Sequence, residues 1–353
     1  MGVDTKHGYN RAVTDNPHSP YDLLIVGAGP IGLAAACAAQ DAGLRFLILD
    51  KAGPCQSIVE YAPRQSFYSP AAELEVGGIP FPLAADDKPR REDALAYYRA
   101  VVVSRRLPLR TWERVTHVRR VGGVFRVTTV QQPDGAWETS YTARAVLLAS
   151  GVWDQPRTLS VPGADLKKVS ARYVDPTPYL GRDCLTVGGG NSAAEVAMAL
   201  ARAGARSRMA LIEPSFDDCN LRPFVLRELL IMVEEKKIEP YFATEVTAIT
   251  PTDVTLHRRD GGDTETIPND FLFTLIGADP DVPFLRDAAV EINPADSKPV
   301  YDEDTFETNI PGLYVCGSMA RDQHIVNGRS RAVQIVERIA RLAHENERNL
   351  SEA

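Results

Sequence analysis

The chain has 353 residues, a length that suggests two domains of ordinary size, and 44 % of them are apolar, enough to bury a large core. Its net charge of −8 argues against a nucleic-acid partner, which would need a basic face. The longest apolar run, Leu23 to Ala39, is broken by Gly27, Gly29, Pro30 and Gly32, so it falls short of the roughly 20 uninterrupted residues of a membrane span.

In chain order, residues 1–20 are polar and lack the apolar core of a secretory signal, which predicts a flexible tail. Leu23, Leu24, Ile25 and Val26 run without alternation, the pattern of a buried parallel strand. Gly27-Ala28-Gly29-Pro30-Ile31-Gly32 follows, then an alanine-rich helix from Leu33 to Ala42 that Gly43 ends. A second apolar strand, Phe46 to Leu49, finishes on Asp50. The glycine fingerprint G-x-G-x-x-G therefore stands in its full strand–turn–helix–strand setting. The first glycine allows the tight turn, the second lets the backbone approach a pyrophosphate, and the third lets helix and strand pack closely. The helix N-terminus offers free N–H groups and a partial positive charge to the phosphates. Asp50, 23 residues after Gly27, can accept hydrogen bonds from an adenosine ribose.

Ala145 to Gly151, AVLLASG, reads as an apolar strand ending in a small-residue turn at Ser150 and Gly151. A second fingerprint begins at the strand Cys184 to Val187. Gly188-Gly189-Gly190-Asn191-Ser192-Ala193 is G-x-G-x-x-A, with alanine at the close-packing position. Its helix runs from Ala194 to Ala203, Gly204 stops it, and the strand Met209 to Ile212 ends on Glu213. Two complete units imply either two dinucleotides or a duplicated fold with one dead site. A carboxylate at Glu213 can bind both ribose hydroxyls and repels a 2′-phosphate. Pro214 to Asp218 contains no arginine to hold that phosphate, which favours NADH; Arg208 and Arg222 keep NADPH open. Phe271 to Pro283 repeats the strand-and-turn shape, and Thr308 to Ser318 is a turn feeding a strand that ends at Gly317. Asn327-Gly328 then opens a final helix, Arg329 to Ala343.

The order of these segments resembles the thioredoxin-reductase-like flavoproteins, and more specifically the bacillithiol disulfide reductase family. SIVEYAPRQSFYSPAAELEVGGIPF, Ser57 to Phe81, is similar to that family's flavin-side loop. KPRREDALAYYRAVV, Lys88 to Val102, is similar to its following helix, and VNGRSRA, Val326 to Ala332, to its C-terminal flavin motif. The resemblance implies an α/β fold of two Rossmann-like, three-layer dinucleotide-binding domains. An FAD domain at 21–157 and 284–346 is interrupted by an NAD(P) domain at 158–283, and a tail follows at 347–353. FAD is then bound at the first loop by Gly27, Gly29, Pro30, Ile31, Gly32, Asp50 and Lys51, with Gln65, Tyr68, Ser150, Gly151, Gly317, Ser318, Asn327 and Gly328. An exchangeable NADH or NADPH falls to Gly188, Gly190, Asn191, Ser192 and Glu213. Hydride transfer requires the nicotinamide C4 about 3–3.5 Å from the flavin N5. Relatives of this kind are commonly homo-oligomers.

The family is thought to use a cysteine directly after the loop proline, where this chain has Ile31, which can form no thiolate. Either the disulfide chemistry is absent or another thiol has taken it over. Cys55 follows the Asp50 strand, and Lys51 could lower its pKa; the alternative is an incidental loop cysteine. Cys37 on the first helix reads as packing, Cys184 and Cys316 as strand core, and Cys219 has acidic neighbours in Asp217 and Asp218. The odd number of cysteines and the lack of a C-x-x-C pair fit a reducing cytoplasm. Ser318 stands where the wider superfamily often places a flavin-binding aspartate. His324 is either a proton donor near the flavin or a surface-loop histidine. Tyr61, Phe67 and Tyr68 either cover the isoalloxazine or simply pack, and Arg64 and Gln65 reach either the ring edge or the phosphates. No cluster has metal-ligand spacing.

These readings point first to an NAD(P)H-dependent FAD oxidoreductase passing electrons to a small disulfide or electron carrier. A flavin monooxygenase or oxidase and a non-catalytic NAD(P)H sensor are the alternatives.

Overall fold

The computed structural model describes residues 19–322 and 324–351. The tail expected at residues 1–20 thus lies almost wholly outside the described residues. The chain forms two compact units. One takes the chain up to Val59, Arg64–Asp154, and everything from Asp279 onward; the other takes Glu60–Pro63 and Gln155–Ala278.

The first unit opens with β1 (Tyr21–Val26), α1 (Pro30–Asp41), β2 (Phe46–Leu49) and the short α2 (Gln56–Val59). It resumes with α3 (Arg91–Arg105), β3 (Leu109–Arg110), β4 (Glu113–Val121), β5 (Val124–Gln131) and β6 (Glu138–Leu148). β6 belongs to two kinds of sheet at once. Its first half pairs antiparallel with β5, from Val130↔Glu138 to Phe125↔Ala143. Its second half pairs parallel with β1, ending in Val26↔Leu148. The sequence explains the division. Val146, Leu147 and Leu148 are fully buried, as a central parallel strand requires, whereas β5 alternates buried Phe125 and Val127 with exposed Arg126.

The second unit contains β7 (Val169–Ser170), β8 (Asp183–Val187), α4 (Asn191–Arg202), β9 (Arg206–Ala210), α5 (Pro223–Glu234) and β10 (Ile238–Tyr241). β11 (Thr244–Ile249), β12 (Asp253–Arg258), β13 (Thr264–Pro268) and β14 (Phe271–Thr274) complete it. Its parallel sheet runs β10-β9-β8-β14-β7, and β11-β12-β13 form a separate antiparallel ribbon. Leu185, Val187 and Leu272 of the sheet share a core with Val246, Val254 and Leu256 of the ribbon.

On return to the first unit, α6 (Val282–Asp287) and β15 (Leu313–Val315) lead to α7 (Ile325–Ser351). β15 pairs parallel with β6, Leu313↔Val146 to Val315↔Leu148, so the parallel part reads β3-β2-β1-β6-β15. The last helix starts four residues before the expected Arg329 and continues through 347–351, expected as a tail. No glycine or proline occurs from Arg329 to Leu350 to stop it. Among the described residues, no helix is long and apolar enough to cross a membrane.

Candidate dinucleotide sites

The first glycine loop sits at the carboxyl end of β1. Gly27 has φ +106°, and a Cβ there would lie 2.6 Å from the Ala149 carbonyl oxygen. Gly29 is the N-cap of α1, and no atom lies within 4 Å of where its Cβ would point. A Cβ on Gly32 would fall on the Gly27 carbonyl oxygen. The loop is therefore tight at its first and third glycines and open at its second, the shape a pyrophosphate requires. Asp50 closes it: its carboxylate accepts from the Ala28 N–H at 2.7 Å and the Ala52 N–H at 2.9 Å. Burial pushes the Asp50 carboxyl above its ordinary value, and those two hydrogen bonds pull it back.

Several distant segments meet this loop. Pro30 is the first residue of α1, and Ile31 follows it. A Cβ on Gly317 would lie 2.9 Å, and one on Gly328 2.5 Å, from the Ile31 Cδ1. Ser150 borders Gly27, and a Cβ on Gly151 would lie 3.5 Å from the Ser318 Oγ. The loops after β1, β6 and β15 thus converge with the first turn of α7, which contains Asn327 and Gly328. That crevice beyond the carboxyl ends of parallel strands is where open α/β sheets bind ligands. His324 lies half-buried one residue before α7, and its carbonyl accepts from the Gly328 N–H at 3.3 Å.

The segment containing Gln65 and Tyr68 is tied to α3. The Gln65 carbonyl accepts from the Arg91 N–H and the Phe67 N–H donates to Pro89, both at 2.8 Å. Phe67 is buried, whereas Gln65, Tyr68 and Tyr61 are half-buried. Tyr97 and Tyr98 of α3, which the sequence reading passed over, hold the rest of the loop. The Tyr97 hydroxyl accepts from the Val76 N–H at 2.8 Å and donates to Ile79 at 2.7 Å, and Tyr98 donates to Leu74 at 3.1 Å.

The reactive-thiol reading of Cys55 does not fit its environment. It is 1 % exposed, its N–H donates to the Ala28 carbonyl at 3.0 Å, and its thiol points at the same oxygen from 3.8 Å. Lys51 pairs with Asp154 at 2.7 Å. Burial, and then the Asp50 charge, push the Cys55 thiol well above its ordinary range, which is opposite to a reactive thiolate. Cys55 buttresses the glycine loop. Cys37, Cys184 and Cys316 are buried as well, and burial raises each of their pKa values, that of Cys184 to about 12. Cys219 is half-buried, and burial followed by Glu213 and Asp218 pushes it to about 11. Alkylation of the native protein with iodoacetamide at mildly alkaline pH is expected to reach Cys219 before any other cysteine. Peptide mapping that found Cys55 modified first would restore it as a reactive thiol.

The second loop repeats the design. Gly188 has φ +133° and its Cβ direction is blocked by the Leu275 carbonyl, while Gly190, the N-cap of α4, again has nothing within 4 Å of its Cβ direction. Asn191 accepts from the Arg222 N–H at 2.8 Å through its side chain, fixing the loop before α5, and Ser192 is exposed in the first helical turn. β9 stops at Ala210, short of the expected Ile212: the Leu211 N–H still donates to Tyr241 of β10, but its carbonyl accepts from Thr244 of β11. Glu213 then lies against the loop, 2.7 Å from where a Cβ on Gly189 would sit. Its Oε2 is buried and has no hydrogen-bond partner among the described residues. A buried carboxylate oxygen without a donor beside an open glycine N-cap fits a ribose hydroxyl.

Sequence reading also missed Asp322. Its side chain is 1 % exposed; one oxygen accepts from the Gly317 N–H at 3.0 Å and the other pairs with Arg331 of α7 at 2.8 Å. The only sequence signal was a carboxylate a few residues past the turn after β15. No group of His, Cys, Asp and Glu among the described residues could hold a metal ion.

Two glycine cradles, each open at its second glycine and flanked by a carboxylate from the following strand or the loop after it, characterise an NAD(P)H-dependent flavoprotein oxidoreductase, with FAD and NAD(P)H as cofactors. The family model for pyridine nucleotide-disulphide oxidoreductases matches residues 24–317, and the chain belongs to that family. It is 32 % identical to bacilliredoxin reductase Bdr of Bacillus subtilis over 324 residues, covering 90 % of this chain and 97 % of that one. The solved structure of bacillithiol disulfide reductase Bdr from Bacillus cereus superposes with a TM-score of 0.86 at 33 % identity, covering 91 % of this chain and 99 % of that one. A thioredoxin reductase from T. acidophilum shares the fold at a TM-score of 0.72 and 21 % identity, over 92 % of this chain and 99 % of that one.

Proposed function

We propose that this protein oxidises NADH through bound FAD and hands the electrons to a small disulfide or a small electron carrier, without a paired dithiol of its own. The observation that carries the reading is the repeated open cradle, Gly29 beside Asp50 and Gly190 beside Glu213. FAD, when bound, supplies the isoalloxazine that accepts hydride from reduced nicotinamide and yields electrons to the acceptor. The chain's own residues bind and orient. Gly29 and the N-terminus of α1 hold the FAD pyrophosphate, and Asp50 orders the Ala28 N–H beside it and faces the ribose. Gly317, Ser318, Asn327 and Gly328 border the flavin half, with His324 as the candidate proton donor. Gly190, Asn191 and Ser192 offer the α4 N-terminus to the second pyrophosphate.

Glu213 supports NADH over NADPH, since its unpaired buried oxygen would meet a 2′-phosphate as a like charge. Arg208 does not offset it, being engaged by Asp183 at 3.0 Å and Glu239 at 3.1 Å. Anaerobic mixing with NADH is expected to bleach the flavin absorbance, and reoxidation by a panel of disulfides, quinones and ferredoxin then sorts the acceptor. Glu213→Gln should weaken NADH about tenfold while affecting NADPH less. Flavin that NADPH reduces faster than NADH would refute the coenzyme assignment.

A further inference from the structure

We propose that Asp322 is the positioning residue of the flavin half of the site, fixing the Gly317–Ser318 turn to the first turns of α7 and setting the reduction potential of the flavin held there. This rests on the FAD reading above.

The geometry is specific. Three elements meet around Ile31: the start of α1, the turn after β15 and the start of α7. Ile31 is hydrocarbon and can hold nothing by hydrogen bonding. The polar tie is Asp322. One carboxylate oxygen caps the Gly317 N–H and lies 3.3 Å from where a Cβ on Gly328 would sit; the other binds Arg331, one helical turn beyond Gly328. Arg331 is itself steered, since its guanidinium lies 5.1 Å over the Phe306 ring and also donates to the Ala320 carbonyl at 3.4 Å. Tyr301 donates to that carbonyl at 2.7 Å. A buried carboxylate is retained only where pairing offsets its desolvation, and here the pair joins the two backbone segments that border the crevice. Its negative end faces Gly317 and Gly328, while its positive end lies against the Ala320 carbonyl and the Phe306 ring. A fixed negative charge at that end disfavours the added electrons of a reduced flavin.

The two partners therefore make opposite predictions. Asp322→Asn keeps an acceptor for the Gly317 N–H but removes the charge. It is expected to weaken FAD about tenfold and move the flavin midpoint potential positive. Arg331→Gln leaves the carboxylate unpaired and is expected to weaken FAD similarly while moving the potential negative at alkaline pH, where the buried carboxyl stays ionised without its partner. Potentials are read by dye equilibration on the FAD-loaded variants, and FAD affinity by fluorescence titration of the apoproteins. Wild-type affinity and potential in a folded Asp322→Asn, or shifts of the same sign in both variants, overturn the proposal and leave Asp322 a packing residue. Should the asparagine variant fail to fold, the sign of the Arg331→Gln shift at alkaline pH decides alone: negative supports, unchanged or positive overturns. Wild-type protein that binds no FAD would defeat the flavin reading instead, an outcome visible before any variant is made.

Discussion

Gly29→Val is expected to give a folded, colourless protein. The residue is the N-cap of α1 with φ −70° and ψ 175°, extended backbone that valine adopts readily, and no protein atom lies within 4 Å of its Cβ direction. The added Cβ therefore meets no protein atom, and the side chain occupies the space left for the pyrophosphate. Overpacking of a close contact costs about 1–3 kcal/mol or more, so FAD affinity should fall by roughly five- to a hundredfold or more. Far-ultraviolet circular dichroism checks the fold, and visible absorbance of the purified protein checks the flavin. A yellow, fully flavinated Gly29→Val protein would remove the first loop as the FAD site. Gly190→Val makes the matching case for the second loop, with loss of NADH binding and retention of flavin.

Gly32→Ala should be the more destructive change although it adds a single carbon. That carbon would sit on the Gly27 carbonyl oxygen, a backbone atom held in place because the Gly27 N–H donates to Leu49 at 2.8 Å. Helix and strand must separate, at a cost of about 1–3 kcal/mol or more, and the first unit should melt earlier. The second unit already has Ala193 at the equivalent place, its Cβ 3.5 Å from where a Cβ on Gly188 would point. Ala193→Gly should cost roughly 1–2 kcal/mol, the backbone term plus the loss of a fully buried methyl. Limited proteolysis during a thermal ramp separates the two units, which one overall melting temperature would not. Equal melting of Gly32→Ala and wild type would show that the Gly27 turn yields.

What could be read from the residues alone follows the range of the interactions. The strands, both glycine loops and the carboxylates Asp50 and Glu213 are local patterns within one β–α–β unit, and their spacing carries them. The β4–β5 meander left a legible trace in the alternation of Phe125 and Val127 with Arg126, a period of two that passed unused. Cys55 stayed between two readings because its neighbours in sequence include Lys51, whereas its neighbours in space are the Ala28 carbonyl and Asp50. Burial outweighs a nearby charge, and burial is a tertiary property. The Asp322 network could not be foreseen for the same reason, since the Gly317 turn and Arg331 meet only when α7 packs. The contact of the Tyr97 hydroxyl with the backbone of Val76 and Ile79 is likewise set by tertiary packing and leaves no local signal.

β6 has one further consequence, for biosynthesis. Its carboxyl half is flanked by β1 from early in the chain and by β15 from near its end, with the whole second unit encoded between. A ribosome therefore releases Gln155–Ala278 intact while the nascent first unit still shows an unpaired strand edge of Val146, Leu147 and Leu148. Chains that terminate prematurely before Leu313 never cover that edge, so translation errors in the last part of the message yield the most aggregation-prone products.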